Sequence, residues 1–196
     1  MIPPVLVLAT GNRGKVAELS ALIMAWGSVD VQSLADHPAV TLPEETGSTY
    51  EENATLKARA VAAATGLPAL ADDSGLEVDA LGGAPGVRSA RYGSSDGERI
   101  ARLLSALAGR TGRERRARFR CVVVVAWPDG RVVAAEGACE GEISDQPSGT
   151  HGFGYDPVFH SVELGCTFAE APADAKTRVS HRARAMRALG ATLAAS

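Results

Sequence analysis

Cysteine is scarce in this sequence, with three in 196 residues and no Cys-x-x-Cys pair. Cys121, Cys139 and Cys166 are odd in number and widely spaced, which argues against a disulfide framework and a zinc cage. The four histidines do not recur at metal-ligand spacing. No apolar run approaches the roughly 20 residues that span a bilayer. The opening Met-Ile-Pro-Pro lacks the basic region of a secretory signal, so the expectation is a cytoplasmic protein with no membrane partner. No Ser, His and Asp arrangement on a nucleophile elbow is visible, and no Gly-x-Gly-x-x-Gly fingerprint occurs, which weakens nucleophilic and dinucleotide chemistry.

What is present is an ordinary globular composition, 45% apolar and 22% charged with a net charge of −3. A chain of this length buries roughly 70% of its extended surface and needs no covalent staple. No repeat, low-complexity tail or linker is evident, so residues 1–196 read as a single domain, or as two tightly joined lobes. One segment stands apart. Residues 110–120, RTGRERRARFR, hold six Arg and one Glu in an otherwise acidic chain. Such a cluster can bind polynucleotide. It is short and lies between a helical pattern and a strand pattern, so a solvated connector is favoured and no stable nucleic-acid partner is expected.

Residues 3–9 form a continuous apolar run and predict a buried strand. After the turn TGNRG, Val16, Leu19, Leu22, Ile23 and Trp26 follow helical spacing up to Gly27. A short strand at 29–33 completes a β-α-β opening. Thr49 followed by Glu52 fits a capping box for a helix from Tyr50 to about Thr65. A short apolar run, 67–71, leads into Asp72-Asp73-Ser74-Gly75, and 76–81 reads as a brief strand. A helix is predicted over 97–108, a strong strand over 119–127, and a hairpin partner over 131–138. The C-terminal 180–195 reads as an amphipathic helix. This order of elements predicts an α/β protein with a mixed central β-sheet flanked by helices.

Five places could carry chemistry. In Thr10-Gly11-Asn12-Arg13-Gly14-Lys15 a strand turns into a helix, and backbone amides, the helix dipole and Lys15 together suit a phosphate chain. It is not a Walker loop, since Ala9 and Val16 stand where Gly and Ser or Thr are needed. An ordinary βα turn would look the same. Glu44-Glu45 and Asp72-Asp73 are two acid pairs that fit Mg²⁺, although the second pair also reads as a turn. Asn53 and Lys57, four apart, share a helix face that begins just after the first pair. Phe153, Gly154, Tyr155 and Asp156 join aromatic faces to flexible backbone, as a base site or a hairpin loop would. Ser180-His181-Arg182, with Lys176 four residues before, could donate to ligand oxygens or could be a cap followed by surface basics.

Taken together, TGNRGK (10–15), EETGSTYEENATLKARA (44–60), ADDSGLEVDALGGAPGVRSARYG (71–93), FGYDPVF (153–159), TFAE (167–170) and SHRARA (180–185) closely resemble the inosine triphosphate pyrophosphatase, or Ham1-like, family. The resemblance covers nearly the whole chain. It implies two lobes with the active-site cleft between them, a homodimer, and Mg²⁺-dependent hydrolysis of ITP, dITP and XTP to monophosphate and pyrophosphate. By motif, it implies that Thr10, Gly11, Asn12, Arg13, Gly14 and Lys15 hold the triphosphate. It implies that Asp73 is proton acceptor and metal ligand, that Glu45 is a further metal-site acid, and that Ser74 contacts substrate. Lys57 would face the phosphates, while Phe153, Gly154, Tyr155, Asp156, Lys176, His181 and Arg182 would form the base pocket. A pyrophosphatase for other altered nucleotides and a sensor without turnover are the competing readings. The chain departs from the family pattern at 171–175, where Leu and a run of acids are usual, and at His151, where Gly is common.

Overall fold

The computed structural model describes residues 1–195. Strand β1 (Val5–Leu8) has three buried residues in four, as expected of a strand covered on both faces. It pairs in parallel with β2 (Asp30–Ser33) and with β3 (Ala69–Val78). The connection from β1 to β2 runs through helix α1 (Arg13–Ile23). This helix opens two residues earlier than its apolar spacing predicts and tightens into a 3-10 turn at Met24–Trp26. The side chain of Asn12 caps it by accepting from the Lys15 amide at 3.1 Å.

Helix α2 (Tyr50–Thr65) has the predicted bounds. The Thr49 hydroxyl accepts from the Glu52 amide at 3.1 Å, and the Glu52 carboxylate accepts from the Thr49 amide at 3.2 Å. Its buried face carries Ala54, Ala58, Val61 and Ala62, and also Asn53 and Lys57. Two polar side chains on the inner stripe of a helix are costly unless something inside engages them.

Strands β4 (Arg116–Ala126) and β5 (Val132–Ile143) are neighbours joined by a tight turn in which Trp127 donates to the Arg131 carbonyl at 2.9 Å. A connection this short can only join antiparallel strands. β6 (Phe159–Ser161) and β7 (Cys166–Thr167) add antiparallel pairs to give one seven-stranded mixed sheet of order β2-β1-β3-β4-β5-β6-β7. Helices α3 (Asp96–Ala106), α4 (Ala173–Val179) and α5 (His181–Ala195) complete the α/β fold. The last begins one residue later than its pattern suggests. Among the described residues no helix is long and apolar enough to cross a membrane.

Two departures from the sequence expectations matter. Asp72-Asp73-Ser74-Gly75 is not a turn but the middle of the ten-residue strand β3. Turn-forming residue types are overridden there because Asp72 and Asp73 find cations and amides inside the protein. The arginine-rich stretch is largely strand as well. Ala117, Phe119 and Cys121 are buried and alternate with Arg116, Arg118 and Arg120, so the period-two pattern starts three residues before the predicted strand.

The chain forms two compact units. The first comprises residues 1–73, 121–137 and 182–195; the second comprises 74–120 and 138–181. Each has its own core. In the first, Leu6, Leu8, Leu19, Ile23 and Leu70 pack with Val123, Val125, Met186 and Leu189. In the second, Leu76, Ile100, Leu103 and Ile143 pack with Tyr155, Phe159 and Phe168, and the Phe119 ring lies 4.5 Å from that of Phe159.

Cys121 sits in the first core with its thiol pushed up to about 12, chiefly by burial and also by Asp72. At pH 8 only on the order of one in ten thousand such thiols is thiolate. Iodoacetamide at that pH is expected to label half-buried Cys166 first and to spare Cys121 until urea unfolds the chain, as peptide mass mapping would show.

Candidate active site

In the first unit, β3 sets the geometry. Consecutive residues of a strand point to opposite faces, so Asp72 and Asp73 diverge. Asp72 is fully buried. One of its oxygens lies 3.0 Å from the Lys15 ammonium and accepts from the Arg182 guanidinium at 3.1 and 3.0 Å. Arg182, only 2% exposed, also donates to Glu18. Lys15 and Glu18 stand on the first turns of α1 and Arg182 on the first turn of α5, so one carboxylate joins two helix starts to the sheet. Burial alone would raise the Asp72 carboxyl, but Lys15, Arg182 and Lys57 outweigh it and hold the group well below the ordinary carboxylate range.

Asp73 meets other partners. Its carboxylate accepts from the Asn53 amide at 3.1 Å and lies 3.9 Å from the Lys57 ammonium. Lys57 is held at 2.5 Å from Glu45 and donates to the Asp72 carbonyl at 2.9 Å. Burial pushes the Asp73 carboxyl above its ordinary value, against Lys57 and Lys15. A carboxyl so raised has increased affinity for a proton, the property required of an acceptor. Asn53 also accepts from the Gly47 amide at 2.8 Å, fixing the loop that carries Glu45. A Cβ at Gly47 would come within 2.6 Å of the Asn53 oxygen, so that loop can lie against α2 only with glycine there.

The predicted acid pairs are thus divided. Of Glu44 and Glu45, the second is half-buried on Lys57 and the first is exposed. Of Asp72 and Asp73, the first is consumed by internal ion pairs. Among the described residues no group of three or more His, Cys, Asp or Glu side chains could by itself hold a metal ion. Glu45 and Asp73 nevertheless converge on one ammonium, and one or two carboxylates completed by substrate phosphate oxygens is how Mg²⁺ is usually bound. The donor set fits that ion.

The phosphate-loop candidates lie between β1 and the first turn of α1. Thr10 is buried and its hydroxyl accepts from the Asn12 amide at 3.2 Å. Gly11, Asn12 and Arg13 are exposed, with Gly14 and Lys15 half-buried. This leaves the amide end of the helix facing outward, where its dipole favours anions.

The second unit holds the aromatic loop. The Asp156 carboxylate accepts from the Phe153 amide at 2.9 Å and pairs with Lys176 at 2.6 Å. The Lys176 ammonium lies 5.2 Å from the Phe153 ring centre and 5.5 Å from that of Phe168. A Cβ at Gly152, which has φ +76°, would come within 2.0 Å of the Asp156 carboxylate, so the loop closes only on glycine. Tyr155 points inward and its phenol donates to the Ser89 carbonyl at 3.0 Å. Phe153, half-buried, is the ring with a face near the surface. His181 is buried and stacks on Phe119 at 4.7 Å. Ser74 is half-buried in the same unit, whereas Arg182 belongs to the Asp72 network of the first. Lys176 rides on the short helix α4, which the departure at 171–175 concealed from sequence inspection.

Four of the six clustered arginines are taken by the protein. Arg110 pairs with Glu114, and Arg118 and Arg120 pair with Glu77, with Arg118 also reaching Asp79. Arg115 is buried and donates to the carbonyls of Ile143 and Ser144 at 2.6 and 2.7 Å. Glu18 and Asp96, outside the quoted motifs, escaped the sequence reading, and Ser89 lay within the 71–93 block without a role of its own. Asn53 was visible through its spacing from Lys57.

A Ham1 family model matches residues 6–192. A dITP/XTP pyrophosphatase of Thermus thermophilus is 55% identical over 185 residues, 93% of this chain and 88% of that protein. One from Nitratidesulfovibrio vulgaris is 51% identical over 198 residues, covering 96% and 95%. The solved structure of a HAM1 protein from Coxiella burnetii superposes with a TM-score of 0.87 at 40% identity, covering 98% of this chain and 99% of the other.

Because Arg182 neutralises a carboxylate with no access to water, Arg182→Ala is expected to cost about 3–5 kcal/mol of stability. Urea unfolding checks this; a loss below about 1 kcal/mol would show that Lys15 alone satisfies Asp72.

Proposed function

The chain belongs to the Ham1 family, and on that premise we propose that it hydrolyses dITP, ITP and XTP to the monophosphate and pyrophosphate through the residues described above. It is a nucleoside triphosphate pyrophosphatase, a hydrolase of phosphoric anhydrides. The observation that carries the assignment of roles is geometric: Asp73 is held by the Asn53 amide at 3.1 Å beside the Lys57 ammonium, which also holds Glu45.

In this reading the triphosphate lies on the helix start at Thr10, Gly11, Asn12, Arg13, Gly14 and Lys15, with Lys57 as the second cation. Glu45 and Asp73 are the residues that would hold Mg²⁺, which would supply neutralisation of the phosphate charge when bound. Asp73 takes a proton from the attacking water, which adds to the α-phosphorus as pyrophosphate departs. Lys15 and Lys57 stabilise the negative charge that grows on the leaving group. Asn53 keeps Asp73 in place by its hydrogen bond. Ser74, next in the strand, contacts substrate beside it.

The base is taken by the second unit's set. Phe153 offers a ring face, and Gly154, Tyr155 and Asp156 shape the loop. Lys176 and His181 supply donors for the oxygen at the purine six-position, while Arg182 stays engaged by Asp72 and Glu18 in the first unit. Adenine carries an amino group there, which leaves such donors unpaired at a cost of about 1–3 kcal/mol each. The chain acts as one catalytic domain in a cytoplasmic homodimer, and it passes between the two units at 73–74, 120–121, 137–138 and 181–182.

The decisive assay is pyrophosphate release from ITP, dITP, XTP, ATP, GTP, dUTP and dTTP, with Mg²⁺ and with EDTA. Turnover restricted to the first three and abolished by EDTA is expected. Preference for a pyrimidine would favour the altered-nucleotide reading, and binding without release would favour a sensor. Asp73→Asn is expected to lower kcat by at least about a hundredfold with an unchanged unfolding midpoint; near-normal turnover would remove Asp73 from its role.

A further inference from the structure

The 153–156 loop turns through Gly154 at φ +64°, and its Tyr155 and Asp156 are buried while Phe153 and Gly154 are half-buried. The Phe153-to-Asp156 bond closes it but does not orient it. Two anchors come from a distant stretch of the second unit. The Ser89 carbonyl takes the buried Tyr155 phenol, and Asp96 accepts from the Gly154 amide at 2.7 Å.

Both anchors are themselves secured. The Ser89 hydroxyl accepts from the Leu76 amide at 2.9 Å and donates to the Gly86 carbonyl at 2.7 Å. Leu76 lies on β3, three residues past Asp73. Asp96 is the first residue of α3, after the cap formed by Ser95. Its other oxygen takes the Arg99 guanidinium at 2.5 Å, and Arg99 in turn donates to the Gly93 carbonyl at 3.1 Å. The Glu98 carboxylate closes the same turn on the amide and hydroxyl of Ser94. Asp96 is therefore a carboxylate held in one place by a braced helix start. It spends one oxygen on the peptide group next to Phe153.

We propose that Asp96 is a positioning residue for purine recognition, which fixes the Phe153-Gly154 peptide so that the Phe153 ring face and the Lys176-Asp156 pair stand ready before the base arrives. This rests on the function proposed above. Its physical basis is preorganisation: a loop ordered beforehand does not draw on binding energy to become ordered. The effect therefore falls on nucleotide affinity and base discrimination, while the step at the α-phosphorus, served by Asp73 and the lysines, is untouched.

The experiment compares wild type, Asp96→Ala and Asp96→Asn for kcat and KM on ITP and ATP, with unfolding midpoints. Asp96→Ala is expected to raise KM for ITP about tenfold, to keep kcat within about twofold, and to narrow the ITP-to-ATP ratio of kcat/KM. Asp96→Asn keeps an oxygen acceptor for the Gly154 amide and is expected to restore most of the affinity. Unchanged KM and selectivity in Asp96→Ala would overturn the proposal. So would a joint fall of kcat and unfolding midpoint that Asn does not rescue, since that marks a purely structural role. Failure of the wild type to turn over ITP would instead strike the functional reading itself.

Discussion

An ionised carboxylate in the middle of a buried strand is stable only if cations reach it, and Asp72 makes that demand on the first unit. Lys15 answers from α1 and Arg182 from α5, with Glu18 balancing the arginine on its other side. Asp72 is fully buried, so these attractions are weakly screened, and loss of one partner leaves a charge with nowhere to go. The consequence reaches beyond stability. Lys15 stands where the chain turns from β1 into α1, so the pair that satisfies Asp72 also fixes the end of the 10–15 turn.

Strand alternation then sends two adjacent carboxylates to different partners. Asp72 turns to the ion-pair network and Asp73 turns to α2, where Asn53 and Lys57 interrupt an otherwise apolar face. Lys57 ties Glu45, the Asp72 carbonyl and the neighbourhood of Asp73 together, so the loop, the helix and the strand share one cation. The second unit works by other means. Its loop is closed by Asp156 on Phe153, paired with Lys176, and braced from Ser89 and Asp96. The first unit concentrates charge, and the second fixes the shape of a loop.

Much of this was legible in the residues. The capping box at Thr49 and Glu52 fixes the start of α2 locally, because both bonds close within four residues, and its observed bounds agree. The apolar run of β1 and the periodicity of α1 and α3 likewise needed no distant partner. The double acid of β3 misled because Asp, Ser and Gly are turn formers whenever no buried cation is at hand, and the cations come from positions 15, 57 and 182. The arginine stretch misled for the opposite reason: a strand face reads as a charge cluster when its inward residues are as small as Ala117.

By itself the sequence determined the α/β order of elements, the family, and the identity of the chemical groups, since these depend on local pattern and on residue types in a fixed succession. Only the tertiary structure decided that Asp72 meets Lys15 and Arg182 while Asp73 meets Asn53 and Lys57, that Glu45 rather than Glu44 meets Lys57, and that Asp96 reaches Gly154. Each of those choices depends on which side of a strand or helix a side chain leaves and on what another segment, tens of residues away, brings to meet it.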